Sequence, residues 1–332
     1  MRATSQPPIP YARTAQRPQW AELPAVLREA ISARLGAPVT AAHTVGGGFT
    51  PGFVGVVETA TGERSFIKSA LRPDQDVIAD FYATEATVSA RLPAALPAAR
   101  LRWTLNTPSY VVLCFDAIDG QMPEPPWQPA ALDTALDTWA RAAAVLAAPP
   151  PELVALRLPR LIDHVPVILQ QWTAVAHGTA PSAAMPDWAL AQLPALTALE
   201  AKASRYLDAD TLTHLDLRAD NVIIDSTGRG WICDWNWLCH GPAWFDTVGM
   251  LVGAYAGGHD TDRLFAEHPT SQGAPSDALD VALAAFAGYW LEHACRPGHP
   301  GSPHIRPHQR WHGEQALAWL ATRQGWPTPT ST

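Results

Sequence analysis

Three side chains in one short stretch have the types and spacing for moving a phosphoryl group. His214-Leu215-Asp216 is followed by Asn221, which makes His-x-Asp-x4-Asn, and Asp234 comes nine residues after Asp225. A carboxylate such as Asp216 can orient a hydroxyl, while Asn221 and Asp234 offer the hard oxygen atoms that magnesium prefers. Transfer of a phosphoryl group from ATP needs these groups close together. Val222-Ile223-Ile224-Asp225 and Trp231-Ile232 read as two strands joined by a turn at Thr227-Gly228. Such a hairpin brings Asn221 and Asp234 to neighbouring positions at one end of a ribbon.

Two upstream features fit the same chemistry. Gly46-Gly47-Gly48-Phe49-Thr50-Pro51-Gly52 lies between two strand-like runs. Backbone amides freed by Gly46, Gly47, Gly48 and Gly52 can approach phosphate oxygens because no Cβ obstructs them, and Thr50 adds a hydroxyl. Lys68 follows Phe66-Ile67 on an apolar strand, where an inward ammonium is costly unless paired. Glu85, on the next helix, is placed to pair with it, with the ammonium facing the phosphate site across from Asp234. Losing either partner of such a buried pair is expected to cost about 3–5 kcal/mol.

The elements that must position these groups follow from periodicity. Leu23, Val26, Leu27, Ile31 and Leu35 predict a helix over 19–35, ending near Gly36. Strands are predicted at 39–45, 53–59 and 65–68, a helix at 76–91, and strands at 101–105 and 110–115. Beyond a Pro-rich stretch at 122–129, residues 131–146, 188–206, 278–293 and 313–324 read as helices. The division is then an N-terminal extension and helix at 1–38 and a small lobe at 39–113. A hinge at 114–120 leads to a mainly helical lobe at 121–326 and a frayed tail at 327–332.

Composition narrows the classes. The 332 residues suffice for two lobes with a sizeable core. A net charge of −8 argues against a nucleic-acid binder. No apolar run approaches the roughly 20 residues that span a bilayer. The first eighteen residues lack the apolar segment of a secretory leader and read as a loosely draped extension. Cys114, Cys233, Cys239 and Cys295 are scattered, which fits reduced thiols in the cytoplasm. His293, His299, His304, His308 and His312 fall among Pro297, Pro300, Pro303 and Pro307. They read as a polar loop flanking an acceptor rather than a zinc site. Nothing in the sequence speaks to oligomeric state.

The motifs together resemble the protein-kinase-like fold. More closely, they resemble the aminoglycoside phosphotransferase family, which includes choline-kinase-like enzymes. After Asp234 come Gly241-Pro242-Ala243-Trp244-Phe245-Asp246, in place of a longer activation loop ending in Ala-Pro-Glu. His240-Gly241 stands where the family often has Gly-Asp. The resemblance implies an α+β, bilobal fold, with a small antiparallel lobe plus helix and a larger, mainly α lobe. It implies ATP and Mg2+ as cofactors and a small-molecule hydroxyl as acceptor. Asp216 would orient the hydroxyl and Arg218 would stabilise the transferring group. Asn221 and Asp234 would ligate the metal. Gly46, Gly47, Gly48, Thr50, Lys68 and Glu85 would serve the phosphates. Cys114, Phe115 and Asp116, in the linker, would serve the adenine. His214 and Asp246 would brace the loop. The acceptor would be an aminoglycoside or other antibiotic, or alternatively an amino alcohol, sugar or amino acid; an inactive nucleotide-binding scaffold is the other alternative. A cationic acceptor would want Asp119 and Glu124, or Trp172 and Trp188.

Overall fold

The computed structural model describes residues 9–183 and 185–328. Expectations for the first eight residues and for the end of the tail lie outside the described residues. The fold is α+β and bilobal. The small lobe is one five-stranded antiparallel sheet: β1 (Val39–Thr44), β2 (Phe53–Thr59), β3 (Arg64–Leu71), β4 (Leu101–Asn106) and β5 (Tyr110–Asp116), in spatial order β1-β2-β3-β5-β4. Helix α1 (Ala25–Leu35) covers one face and α2 (Asp76–Ser89) the other.

Strand alternation sorts the side chains. Ile67, Val112 and Cys114 pack with Leu27 and Ile31 of α1. Phe66, Ala70, Leu113 and Phe115 pack with Ala79 and Tyr82 of α2. Lys68 shares the second face and sits mid-sheet, opposite Val54 of β2 and Leu113 of β5. Helix α1 starts only at Ala25, because Pro24 suits a helix entrance and not an interior. Residues 20–22 form a separate 3-10 turn, and Val26 is exposed rather than packed.

Cys114, Phe115 and Asp116, expected in the linker, are the last residues of β5 and pair with Ile67, Phe66 and Ser65 of β3. The chain leaves the sheet after Asp116. Gly120 and Gln121 then pair with Asp225 and Ile224 of the hairpin formed by Val222–Asp225 and Gly230–Ile232. A Cβ on Gly120 would fall 2.5 Å from the Ile224 carbonyl oxygen, so only glycine permits this approach.

The large lobe is built around α3 (Pro129–Leu146) and the helices Leu193–Tyr206, Ala243–Ala256, Ala278–Ala294 and Ile305–Gln324. Trp139, Trp172 and Trp319 are fully buried within its core. The helix expected over 188–206 is broken into Asp187–Leu190 and Leu193–Tyr206, with Pro194 in the second piece's first turn. The last helix begins at Ile305, earlier than expected, because Pro307 falls in its first turn, where no amide is needed. A Cβ on Gly313 would fall 2.7 Å from Leu291, so glycine lets this helix lie close against Ala278–Ala294.

Candidate active site

The loop after Thr213 is held by one buried carboxylate. Asp246 Oδ2 accepts from the backbone amides of His214 at 2.6 Å and Leu215 at 3.0 Å, and from the Thr213 hydroxyl. Asp246 enters from the first turn of helix Ala243–Ala256. Leu215 is held at φ 67, which a bulky residue adopts only under constraint. His214 is fully buried. Its Nε2 faces the Cys233 carbonyl at 2.9 Å and its Nδ1 accepts from the Asp216 amide at 3.3 Å. Burial pulls its pKa below the ordinary value, so the ring is neutral and braces the loop.

Asp216 faces two side chains of its own loop. Asn221 Nδ2 donates to the Asp216 carbonyl at 2.7 Å and to its carboxylate at 3.1 Å. Arg218 donates through Nη1 to the Asp216 carboxylate. Its Nε and Nη2 reach the two oxygens of Asp220 at 3.0 and 3.1 Å. Arg218, expected to face the transferring group, instead clamps Asp216 to Asp220, and its side chain is 15% exposed. Asp-x-Arg-x-Asp is visible in the sequence, but Asp220 was not singled out there.

The hairpin delivers the next group. The Cys233 amide donates to the Asn221 carbonyl at 3.0 Å, so Asp234 follows directly beside Asn221. Asp234 lies at φ 65, a left-handed conformation that Asp tolerates better than most residues. Its carboxylate meets Lys68 Nζ. Lys68 also reaches Glu85 Oε1 at 2.7 Å and Oε2 at 2.9 Å, and both residues are buried. Burial opposes the Lys68 charge, but Asp234 and Glu85 outweigh it and raise its pKa. Burial pushes Glu85 up to about 7 in spite of Lys68. At Asp234, Lys68 wins against burial and the pKa falls.

Lys68, Glu85 and Asp234 edge a cavity of about 500 Å³ between the lobes, while Asp216, Arg218 and Asn221 are not in its lining. Gly46, Gly47, Gly48, Thr50, Lys68, Glu85, Phe115, Asp116, Glu124 and Asp234 line it. Cys114 lies on the α1 face of β5, away from this lining, as strand alternation requires. Gly52 is not in the lining either; its Cα faces the Ser69 carbonyl. Asp119 is exposed and paired with Arg64 at 3.7 Å. Trp172 is a core residue whose indole donates to the Ala284 carbonyl at 2.9 Å, and Trp188 packs against the same core.

The C-terminal histidines do not share one polar loop: His293 is on helix Ala278–Ala294, and only His299 and His304 lie between the last two helices. His308 and His312 lie on a helix, buried, with rings 4.2 Å apart. Burial, then the charge of Arg218, pushes His312 down to about 4. Among the described residues no three His, Cys, Asp or Glu side chains group around a metal position. A two-residue set does fit magnesium. Asn221 uses its amide nitrogen on Asp216, which leaves its amide oxygen for a cation, and the Cys233–Asn221 backbone bond sets Asp234 next along the chain.

Sequence reasoning missed the segment before α1. Tyr11, Ala12 and Arg17 line the cavity, and the Tyr11 hydroxyl meets His308 Nδ1 at 3.0 Å. The described part of the extension is therefore packed into the cleft, not draped outside it. A Pro-rich polar run carries no local signal of this.

The family model of the phosphotransferase enzyme family matches residues 54–269. No curated protein matches the sequence. Among solved structures, a thermostable mutant of aminoglycoside phosphotransferase APH(4)-Ia, in ternary complex with ADP and hygromycin B, is 14% identical. That match covers 92% of this chain and 100% of that one, with a TM-score of 0.59. Choline kinase LicA from Streptococcus pneumoniae is 13% identical over 90% of this chain and 98% of its own, with a TM-score of 0.60. Spectinomycin phosphotransferase APH(9)-Ia, in complex with ADP and spectinomycin, is 12% identical over 88% and 97%, with a TM-score of 0.59. At these identities the likeness is one of fold.

Proposed function

We propose that this chain, which belongs to the phosphotransferase enzyme family, moves the γ-phosphoryl group of Mg·ATP to a hydroxyl of a small molecule. One observation carries the reading. Lys68, Glu85 and Asp234 converge at the cavity, and the Asn221–Cys233 backbone bond joins them to Asp216. The adenine would lie against the apolar lining formed by Phe115, Ile118, Ile223 and Ile232. Lys68 would hold the phosphates that precede the transferred one. Asp216 would accept the proton of the acceptor hydroxyl as its oxygen bonds to the γ-phosphorus and the bridge to ADP breaks. Arg218 and Asn221 would fix the direction of that carboxylate. Mg2+, held by Asn221 and Asp234, would neutralise charge on the phosphates.

A second reading concerns the acceptor. The neighbours named above bind hygromycin B and spectinomycin or are described as a choline kinase. In this cleft Asp116 is bonded to Arg102, Asp220 to Arg218, and Asp234 to Lys68. Glu124 is left as the lining carboxylate with no ion pair among the described residues. One free carboxylate suits a weakly charged sugar or amino alcohol better than a polycationic aminoglycoside. We place the enzyme in the cytoplasm, where ATP is at hand and its four free thiols stay reduced. No described helix is long and apolar enough to cross a membrane.

The test is ATP consumption by purified protein over a library of hydroxyl compounds, with Asp216→Ala as control. Turnover with one acceptor, lost in the variant, supports the reading. Binding of Mg·ATP with no turnover anywhere would favour the inactive scaffold instead.

A further inference from the structure

The glycine loop has an unusual pattern of partners. Six consecutive carbonyls, from Val45 to Thr50, are each bonded from outside the loop. Gly46 accepts from the Thr14 amide at 3.0 Å and the Ala15 amide at 3.2 Å. Gly48 accepts from the Thr14 hydroxyl, and Phe49 from the Ser302 hydroxyl. Val45, Gly47 and Thr50 all accept from Arg17, the last through Nε at 2.8 Å. A Cβ on Gly46 would fall 2.3 Å from the Ala12 carbonyl oxygen, so glycine is what lets the N-terminal segment come this close. The amides of Gly46, Gly47 and Gly48 donate to no protein group among the described residues. In a trans peptide the amide points opposite the carbonyl. What the loop leaves unbonded is therefore a row of donors.

Arg17 adds a charge to that row. Its bonds go to carbonyls, and no carboxylate lies within ion-pair distance among the described residues. It lines the same cavity as Lys68 and Asp234. Burial pulls its pKa down, and Tyr82 and Asp234 pull it back up, so it lies within their field. Nε and Nη1 serve the loop, while Nη2 stands beside Gly48 without an acceptor. A half-buried cation without a counter-charge, in a ring of free amides, suits a polyanion. Arg17 lies outside residues 54–269, so the family match does not account for it.

We infer that Arg17 is a polyphosphate-binding residue, which holds the glycine loop by its carbonyls and offers its remaining edge to the phosphates of the nucleotide. This rests on the proposed nucleotide cleft. Calorimetry with Mg·ATP, Mg·tripolyphosphate and adenosine tests it on wild type, Arg17→Gln and Arg17→Lys. Gln keeps a donor for the loop and removes the charge; Lys keeps the charge and loses the fork. Arg17→Gln should weaken Mg·ATP and Mg·tripolyphosphate about tenfold or more and leave adenosine unchanged, with Arg17→Lys in between. Equal weakening of adenosine would mean a merely structural staple and overturn the inference. So would unchanged Mg·ATP affinity in Arg17→Gln, or, should that variant not fold, in Arg17→Lys. Wild type that binds no Mg·ATP would instead overturn the nucleotide cleft itself.

Discussion

Replacing Glu85 by Gln should reveal a carboxylate kept for function against stability. From sequence, removing one partner of a buried Lys–Glu pair is expected to cost about 3–5 kcal/mol. The geometry changes the sign for this variant. Glu85 is 4% exposed and sits at about 7, above its ordinary 4.5, because burial outweighs the attraction of Lys68. A carboxyl group whose folded pKa is raised contributes its full stability below about 4.5 and loses it as pH rises through about 7. A rise of this size corresponds to about 3 kcal/mol. Gln mimics the protonated form, and Lys68 keeps Asp234 as a partner. Between pH 5 and pH 8, then, the unfolding free energy of Glu85→Gln should gain about 2–3 kcal/mol relative to wild type. Over the same change Mg·ATP affinity at pH 8 should fall, because Lys68 then leans wholly on the carboxylate meant for the cation. Urea titrations of both proteins at the two pH values measure the first quantity, and calorimetry the second. A stability difference that stays constant with pH, or grows against the variant, would show that Lys68 outweighs burial and refute the reasoning.

Three further outcomes follow from the same geometry. Asp216→Ala should lower kcat about 10²- to 10⁴-fold while Mg·ATP affinity stays within about threefold, since this carboxylate serves the hydroxyl; near-normal turnover would remove it from that role. Asp234→Asn should make nucleotide binding nearly insensitive to chelation of magnesium, because binding is already weak; wild-type affinity with intact magnesium dependence would place the cation elsewhere. Asp246→Ala strands two buried amides and a hydroxyl behind the loop, so unfolding free energy should drop by at least about 2 kcal/mol in a urea titration; a loss below about 0.5 kcal/mol would deny it the bracing role.

What could be read from sequence was local. The sheet strands announced themselves through alternation, and Gly36, at φ 79, ends α1 where its helical stripe stops. What could not be read depended on distant partners or on the position of a proline. Residues 114–116 look like the start of a linker until they pair with 65–67 on β3. Four prolines near the C-terminal histidines look like helix breakers, yet Pro307 sits where a helix accepts one. The buried histidines follow from that shifted start, which carries His308 and His312 into the core face of the helix.

The site divides in the same way, and its charges explain the division. Lys68 and Glu85 could be matched in advance, because a lone cation on an apolar strand must find an acid within reach. The resemblance gives Arg218 the transferring group, but Asp216 and Asp220, two residues away on either side, pair with it. Arg17 had no readable signal, because its partners lie 28 to 33 residues downstream. With Arg218 taken and His214 neutral, the cations left at the phosphate end are Lys68 and Arg17, set against the carboxylates of Glu85 and Asp234. That balance is close to zero and would hold a bare polyphosphate weakly. A divalent cation on Asn221 and Asp234 shifts it toward binding. The dependence of binding on magnesium and on Arg17 thus has a single origin, a cleft whose own charges cancel before the nucleotide arrives.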